Sequence, residues 1–273
     1  MPKEDGVGYG EFTARKIDHL KKIIAMHLAV TSAVILKYHK PYRYRKLYKY
    51  VDLTSGKGFS PDGKIPGSPL VFLRNAESKL QIPYRADFIE EVEKNIIELQ
   101  SNVADEIAKN NWNNPDIHFH LGKYQALAKS LFGQRDLKEF GLIFVDPSGN
   151  APDFDALKQI CTLRPKMEIL IYVSTTSIKR IYQHTNKLLS DYMQDIGKKY
   201  WLVRKPINWD QYKWTFLMGS NSDIFKDYKK IDFLRLDSSE AQAFFPKLNL
   251  SEKQRQAAVQ SNFFDILLES GEN

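Results

Sequence analysis

This chain encodes an α/β fold, a mostly parallel sheet with helices on both faces, and three observations predict it. Segments of strand character alternate with segments of helical periodicity five times before two further strands close the chain. Residues 140–145 and 167–173 are apolar almost throughout, as strands covered on both faces are. A glycine-rich loop carrying Gly56 and Gly58 follows the first strand directly.

Taken in order, Ile17, Leu20, Ile23, Ile24 and Leu28 recur at helical spacing, so the first helix spans residues 13 to about 37. Thr13 suits its N-cap, and it is expected to end before Pro41. The first strand covers 48–53. Ser68 as N-cap and Pro69 at the first helical position open a helix containing Leu70, Val71, Phe72 and Leu73. The second strand, 84–89, ends in Glu90-Glu91; the next helix, 92–103, is expected to turn Ile96, Ile97 and Leu99 inward. A short strand at 117–121 precedes a helix at 124–132. The apolar strand 140–145 ends in Asp146-Pro147-Ser148-Gly149, followed by a helix at 154–161. Strand 167–173, one helix at 177–192, and strands 200–203 and 212–218 complete a seven-stranded sheet with an antiparallel closing strand. Three parts follow: an N-terminal helical extension with a basic-aromatic segment (1–47), a catalytic domain (48–220) and a C-terminal appendage (221–273).

With 273 residues, 42% hydrophobic and 27% charged, the chain has ordinary globular composition. The most apolar stretch, 23–36, is interrupted by His27, Thr31 and Ser32 and falls short of the roughly 20 residues a bilayer requires. The N-terminus has no signal-peptide pattern, and a cytoplasmic location is the expectation. Cys161 is the only cysteine, so no internal disulfide forms and no Cys-based zinc cluster exists. His118 and His120 lie two apart on one strand without a third ligand, so no metal is expected. A formal charge of +7 favours an anionic partner. In the stretch from Lys37 to Tyr50, cations alternate with tyrosines, so Lys40, Arg43, Arg45 and Lys46 are candidates for nucleic-acid contact. A solvated edge fits the same segment. Trp209, Tyr212 and Trp214 read either as a stacking platform or as an aromatic closing hairpin.

Ligands of parallel sheets bind beyond the carboxyl ends of the strands. Asp52, Glu90, His120 and Asp146 all fall at such ends and are expected to converge on one rim. The Gly56–Gly58 loop fits neither of two common nucleotide patterns. A P-loop requires glycine where Val51 stands and Ser or Thr after a Gly-Lys pair, where Gly58 stands. The dinucleotide fingerprint requires a third glycine at Pro61.

An acid closing the strand, then Leu53-Thr54-Ser55-Gly56-Lys57-Gly58, resembles motif I of class I, Rossmann-like S-adenosylmethionine-dependent methyltransferases. The resemblance implies S-adenosyl-L-methionine as cofactor, its methionine part against Thr54, Ser55, Gly56 and Gly58, with Asp52 orienting the loop and facing the amino-acid end. It implies the ribose hydroxyls on Glu90, for which a carboxylate with two acceptor oxygens is suited. Glu91 is the neighbouring candidate, and either acid also fits a helix N-terminus. His120 is placed near the adenine pocket. Asp146-Pro147 resembles motif IV of amino-methyltransferases, where the acid and the carbonyl beside the proline hold an exocyclic amine with its lone pair toward the methyl group. Ser148 and Gly149 replace the family's usual proline and stacking aromatic, and the run is similar to the Asp-Pro-Phe-Gly of tRNA guanine-N2 dimethyltransferases. Lys21-Lys22, residues 50–58, Gly67-Ser68-Pro69 and Phe88-Ile89-Glu90 also resemble three-Cys-motif partner proteins, although that group's Phe-Ala-Gly-Pro-Gly is absent.

Three functions follow as expectations: a methyltransferase on a base amine of DNA or RNA, one acting on a small molecule or protein, and a non-catalytic partner module that keeps the fold. The first implies a nucleic-acid partner, with a protein partner as a further option.

Overall fold

A computed structural model describes residues 13–42, 45–113, 115–147, 150–206 and 214–249. Helix α1 (Thr13–Tyr42) is followed by β1 (Tyr48–Asp52), α2 (Ser68–Lys79), β2 (Tyr84–Glu90), α3 (Glu93–Asn110), β3 (Asp116–Leu121) and α4 (Tyr124–Phe132). Then come β4 (Phe140–Val145), α5 (Phe154–Leu163), β5 (Met167–Ser174), α6 (Thr175–Thr185), α7 (Leu189–Ile196), β6 (Tyr200–Arg204), β7 (Trp214–Ser220) and β8 (Phe233–Arg235). The strands form one sheet in the order β3-β2-β1-β4-β5-β7-β6-β8. Pairings from β3 to β5 are parallel; β7 and β8 run against the rest.

Two apolar layers cover the sheet. On one face α1, α2 and α3 bury Leu20, Ile23, Leu70, Phe72 and Leu99 against Tyr48, Tyr50, Phe88, Leu142 and Phe144. On the other, α4 to α7 bury Phe132, Leu157, Ile160, Ile178 and Met193 against Val51, Ile143, Val145, Ile169 and Ile171. Cys161 belongs to this second layer, where burial pushes its thiol up to about 11. It is a core residue.

Several details differ from the sequence reading, among them the α2 N-cap, which is Gly67 rather than Ser68, and the end of α3, which runs to Asn110. The sheet has eight strands, because Phe233–Arg235 pairs with β6 at Leu202, Val203 and Arg204. The expected helix over 177–192 is two helices, broken where Asn186 takes φ 53°, a left-handed conformation that asparagine adopts more readily than most residues. Ile97 points outward, 59% exposed, while Ile96 and Leu99 are buried. Finally, α1 continues through Pro41 to Tyr42 and is long and apolar enough, by length and composition, to span a bilayer. Its apolar side instead lies on the sheet: Leu20, Ile23, Ile24, Leu28 and Ile35 are at most 1% exposed, each burial contributing about 1.5–3 kcal/mol.

Register decides which side chains meet at the rim. Asp52 pairs with Phe88 on β2 and Phe144 on β4. Glu90 and Asp146 stand two residues beyond those partners, so the strand period of two puts all three acids on the α1 side. His120 pairs with Ile89 and therefore faces the opposite side.

Candidate cofactor and acceptor site

A cavity of about 670 Å³ opens at the carboxyl edge of β1, β2 and β4. Its wall includes Thr54, Ser55, Gly56, Glu90, Asp146 and Pro147, together with Lys16 and Ile17 of α1. Thus the extension preceding β1 helps to build the site.

Asp52 lies beneath this wall, fully buried. It accepts hydrogen bonds from the Thr54 backbone N–H (3.1 Å), the Tyr50 hydroxyl (3.3 Å) and the Ser68 side chain. Burial outweighs those bonds and pushes its carboxyl up to about 7, with Asp146 adding a smaller push. Ser55 ties the loop to β2 by donating its N–H to the Ile89 carbonyl (2.9 Å), while its hydroxyl donates to the Asp52 carbonyl (3.2 Å).

Gly56 turns the chain at φ 64° and donates its N–H to Glu90 Oε2 at 2.8 Å. A Cβ there would meet nothing within 4 Å, so the loop leaves open space over this backbone. Gly58, at φ 92°, serves the scaffold: a Cβ would stand 3.0 Å from Leu99 Cδ1, and its carbonyl accepts the Gly67 N–H at 2.7 Å. It is not part of the cavity wall. Glu90 Oε1 accepts from the Val92 N–H (3.0 Å) and Asn95 Nδ2 (3.4 Å). Glu91, also in the wall, is exposed.

Asp146 receives Lys16 Nζ on Oδ2 at 2.7 Å, and its backbone N–H donates to Thr54 Oγ1 at 2.8 Å. The Lys16 ammonium also stands 4.8 Å from the centre of the Tyr172 ring. Burial, with Asp146 nearby, raises the Tyr172 phenol well above its usual range. Sequence reading missed Lys16, which lies 130 residues from its partner; its position on the buried flank of α1 was the only available signal. Ser148 and Gly149 lie outside the described residues.

His120 is not brought to the cavity. It contacts Asp87 Oδ1 at 2.8 Å on the far side of the sheet. Burial works against ionisation of Asp87, but hydrogen bonds from His120 and Arg85, with Lys49 alongside, hold its carboxyl well below the carboxylate range. His118 contacts Asp116 Oδ1 at 2.6 Å.

The basic segment sits elsewhere too. Lys40 lies in the last turn of α1, and Arg45 and Lys46 lead into β1, at the sheet edge opposite the cavity. Arg45 is paired with Asp136 (2.9 Å) and Glu139 (3.4 Å); Arg43 lies outside the described residues. Trp214 packs against Tyr172 and Phe216, with centroid separations of 5.6 and 6.0 Å, whereas Trp209 and Tyr212 lie outside the described residues.

The strand order, the loop after β1 and the reversed β7 define a class I, Rossmann-like methyltransferase fold. No family model and no curated protein matches the chain. Among solved structures, a Legionella pneumophila protein of family DUF519 is similar at 14% identity and TM-score 0.50, over 82% of this chain and 91% of that one. A candidate S-adenosyl-L-methionine-dependent methyltransferase of Methanococcus maripaludis aligns at 10% identity and TM-score 0.40, over 80% and 97%. Aeropyrum pernix fibrillarin, crystallised with bound S-adenosyl-L-methionine, aligns at 10% identity and TM-score 0.40, over 63% and 66%. At such identities the likeness concerns the fold.

Proposed function

We propose that the chain is an S-adenosyl-L-methionine-dependent methyltransferase acting on an exocyclic base amine of a nucleic acid. One observation carries this reading: Asp146 and the loop after β1 share one cavity wall and are joined through the Thr54 hydroxyl. That bond couples the place for a cofactor to the place for an acceptor.

The residues fit the cofactor. A cavity of about 670 Å³ lies within the range of small-molecule sites. Gly56 leaves room over its backbone, and Glu90, although each of its oxygens already accepts a protein donor, keeps acceptor capacity suited to a ribose hydroxyl. When bound, the cofactor supplies an electrophilic methyl group. Thr54, Ser55 and Gly56 would hold its amino-acid portion, with Asp52 organising them from below rather than touching it.

Asp146 does the remaining work. Lys16 occupies Oδ2, leaving Oδ1 to accept a hydrogen from an amine. That bond fixes the amine and turns its lone pair toward the methyl group, and positioning supplies much of the acceleration. The amine nitrogen gains the methyl and loses one proton, for which the Asp146 carboxylate is the adjacent base.

Incubation with tritiated S-adenosyl-L-methionine and bulk tRNA, rRNA or genomic DNA tests the reading. We expect label in one of these pools, lost in Asp146→Asn. Cofactor binding without label in any pool would overturn the nucleic-acid assignment.

A further inference from the structure

A second concavity, of about 510 Å³, lies between α1 and α2 and meets the first at Ile17 and Pro66, which line both. Its origin is the helical repeat of α1. Thr13, Lys16 and Leu20 face the cofactor cavity, while Ala14, Asp18 and Lys21 face the groove, and Ile17 forms the ridge between them. On the other side, α2 starts at the cavity with Ser68 and carries Arg74 and Lys79 along the groove.

The groove pairs an apolar floor with a cationic rim. Ile17, Ile65, Pro66 and Val71 form the floor. Lys21, Lys64, Arg74 and Lys79 supply four cations against the single carboxylate of Asp18. Arg74 is committed to Glu106, with bonds of 2.8 and 2.6 Å, and Lys64 reaches Asp62 only at 4.0 Å. Among the described residues, no ion pair engages Lys21 or Lys79, and both are exposed. Unpaired ammonium groups beside an apolar trough suit a chain of phosphates whose sugars and bases lie on the floor.

We propose that this groove holds the single-stranded nucleic-acid backbone next to the acceptor nucleotide, with Lys21, Lys64 and Lys79 contacting phosphates. The inference rests on the proposed nucleic-acid reading and relocates its interface. The contact surface lies beside the cavity, so that a strand in the groove delivers the neighbouring base past Ile17 toward Asp146. Lys40, Arg45 and Lys46, at the opposite edge of the sheet, do not share that path.

Fluorescence anisotropy with a labelled single-stranded 20-mer, as RNA and as DNA, tests this on the full chain. The variants are K21E/K64E/K79E and, for comparison, K40E/R45E/K46E. We expect the groove variant to bind at least tenfold more weakly at 100 mM salt. We also expect its salt dependence to flatten by about two log units per log unit, at roughly 0.7 per lost phosphate contact. The comparison variant should bind within threefold of wild type, and calorimetric affinity for S-adenosyl-L-methionine should be unchanged in both. Wild-type binding that the groove variant retains would overturn the groove and leave the function standing. A wild type that binds cofactor but neither 20-mer would remove both. Equal displacement by polyglutamate and by unlabelled 20-mer at matched charge would also contradict the proposal, because the floor would then contribute nothing.

Discussion

Asp52 and Asp146 close neighbouring parallel strands on the same face of one sheet, yet their surroundings are opposite. Asp52 is sealed under its own loop, held by Thr54, Tyr50 and Ser68, and its carboxyl is pushed up to about 7. Asp146 stands in a cavity wall with a lysine on one oxygen and, among the described residues, no hydrogen-bond partner on the other. The backbone explains the contrast. After Asp52 the chain curls back over the carboxylate, and Ser55 pins it to β2; Asp146 is fastened by its N–H, which leaves the side chain to the cavity. A strand-end acid is thus sealed in or left facing a cavity according to which of its groups a neighbouring loop takes up.

The largest effect is expected at Asp146. Asp146→Asn should lower kcat by roughly 10²–10³-fold, the scale for losing one positioned polar group, with cofactor affinity retained. Single-turnover methyl transfer checks it. A variant within threefold of wild type would make the two acids alike after all.

Altering the scaffold should be felt in stability. Asp52→Ala leaves the buried Tyr50 hydroxyl and the part-buried Thr54 and Ser68 donors without their acceptor and should cost on the order of 3 kcal/mol, at about 1–3 kcal/mol for a fully buried unsatisfied group, measured by urea unfolding. The pH dependence sharpens the point. The folded Asp52 binds its proton up to about 7, against a reference of 3.8, so between these values the native state holds more protons than the unfolded chain. Its contribution to stability therefore falls as pH rises from about 4 to about 7. Asp52→Asn should flatten that part of the wild-type profile in thermal unfolding.

Much of this was legible in the sequence, and the omissions have physical causes. The alternation of strands and helices and the acid-loop-glycine order are local patterns, so the architecture and the gathering of Gly56, Glu90 and Asp146 at one cavity could be read along the chain. Pairing across the fold is not local. Nothing near Lys16 announces Asp146, and β8 is too short at three residues to display a period. His120 was assigned to the rim from its place at a strand end, but one residue of register turns it to Asp87 instead. Similarly, the density of charge around residues 37–50 marked an interface by composition, while topology set Lys40, Arg45 and Lys46 at the far edge of the sheet.

Smaller effects refine the comparison. Lys16→Met should change stability by no more than about 1 kcal/mol, because the pair is partly exposed. It should also lower kcat by freeing Asp146 Oδ2 from the partner that holds the side chain in place, as read by single-turnover methyl transfer. An unchanged kcat would detach Lys16 from Asp146. The smallest effect is expected at the opposite face, where His120→Asn should leave cofactor affinity within twofold, as read by calorimetry.

The cavity between the Gly56 loop and Glu90 is where S-adenosyl-L-methionine is expected to bind. Isothermal titration of the full chain with that cofactor tests it directly, with Glu90→Ala beside the wild type. One saturable site is expected in the wild type, weakened roughly 10- to 100-fold in the variant, the scale of hydrogen bonds lost from a charged acceptor. Absence of binding to the wild type, or equal affinity in the two proteins, would contradict the account.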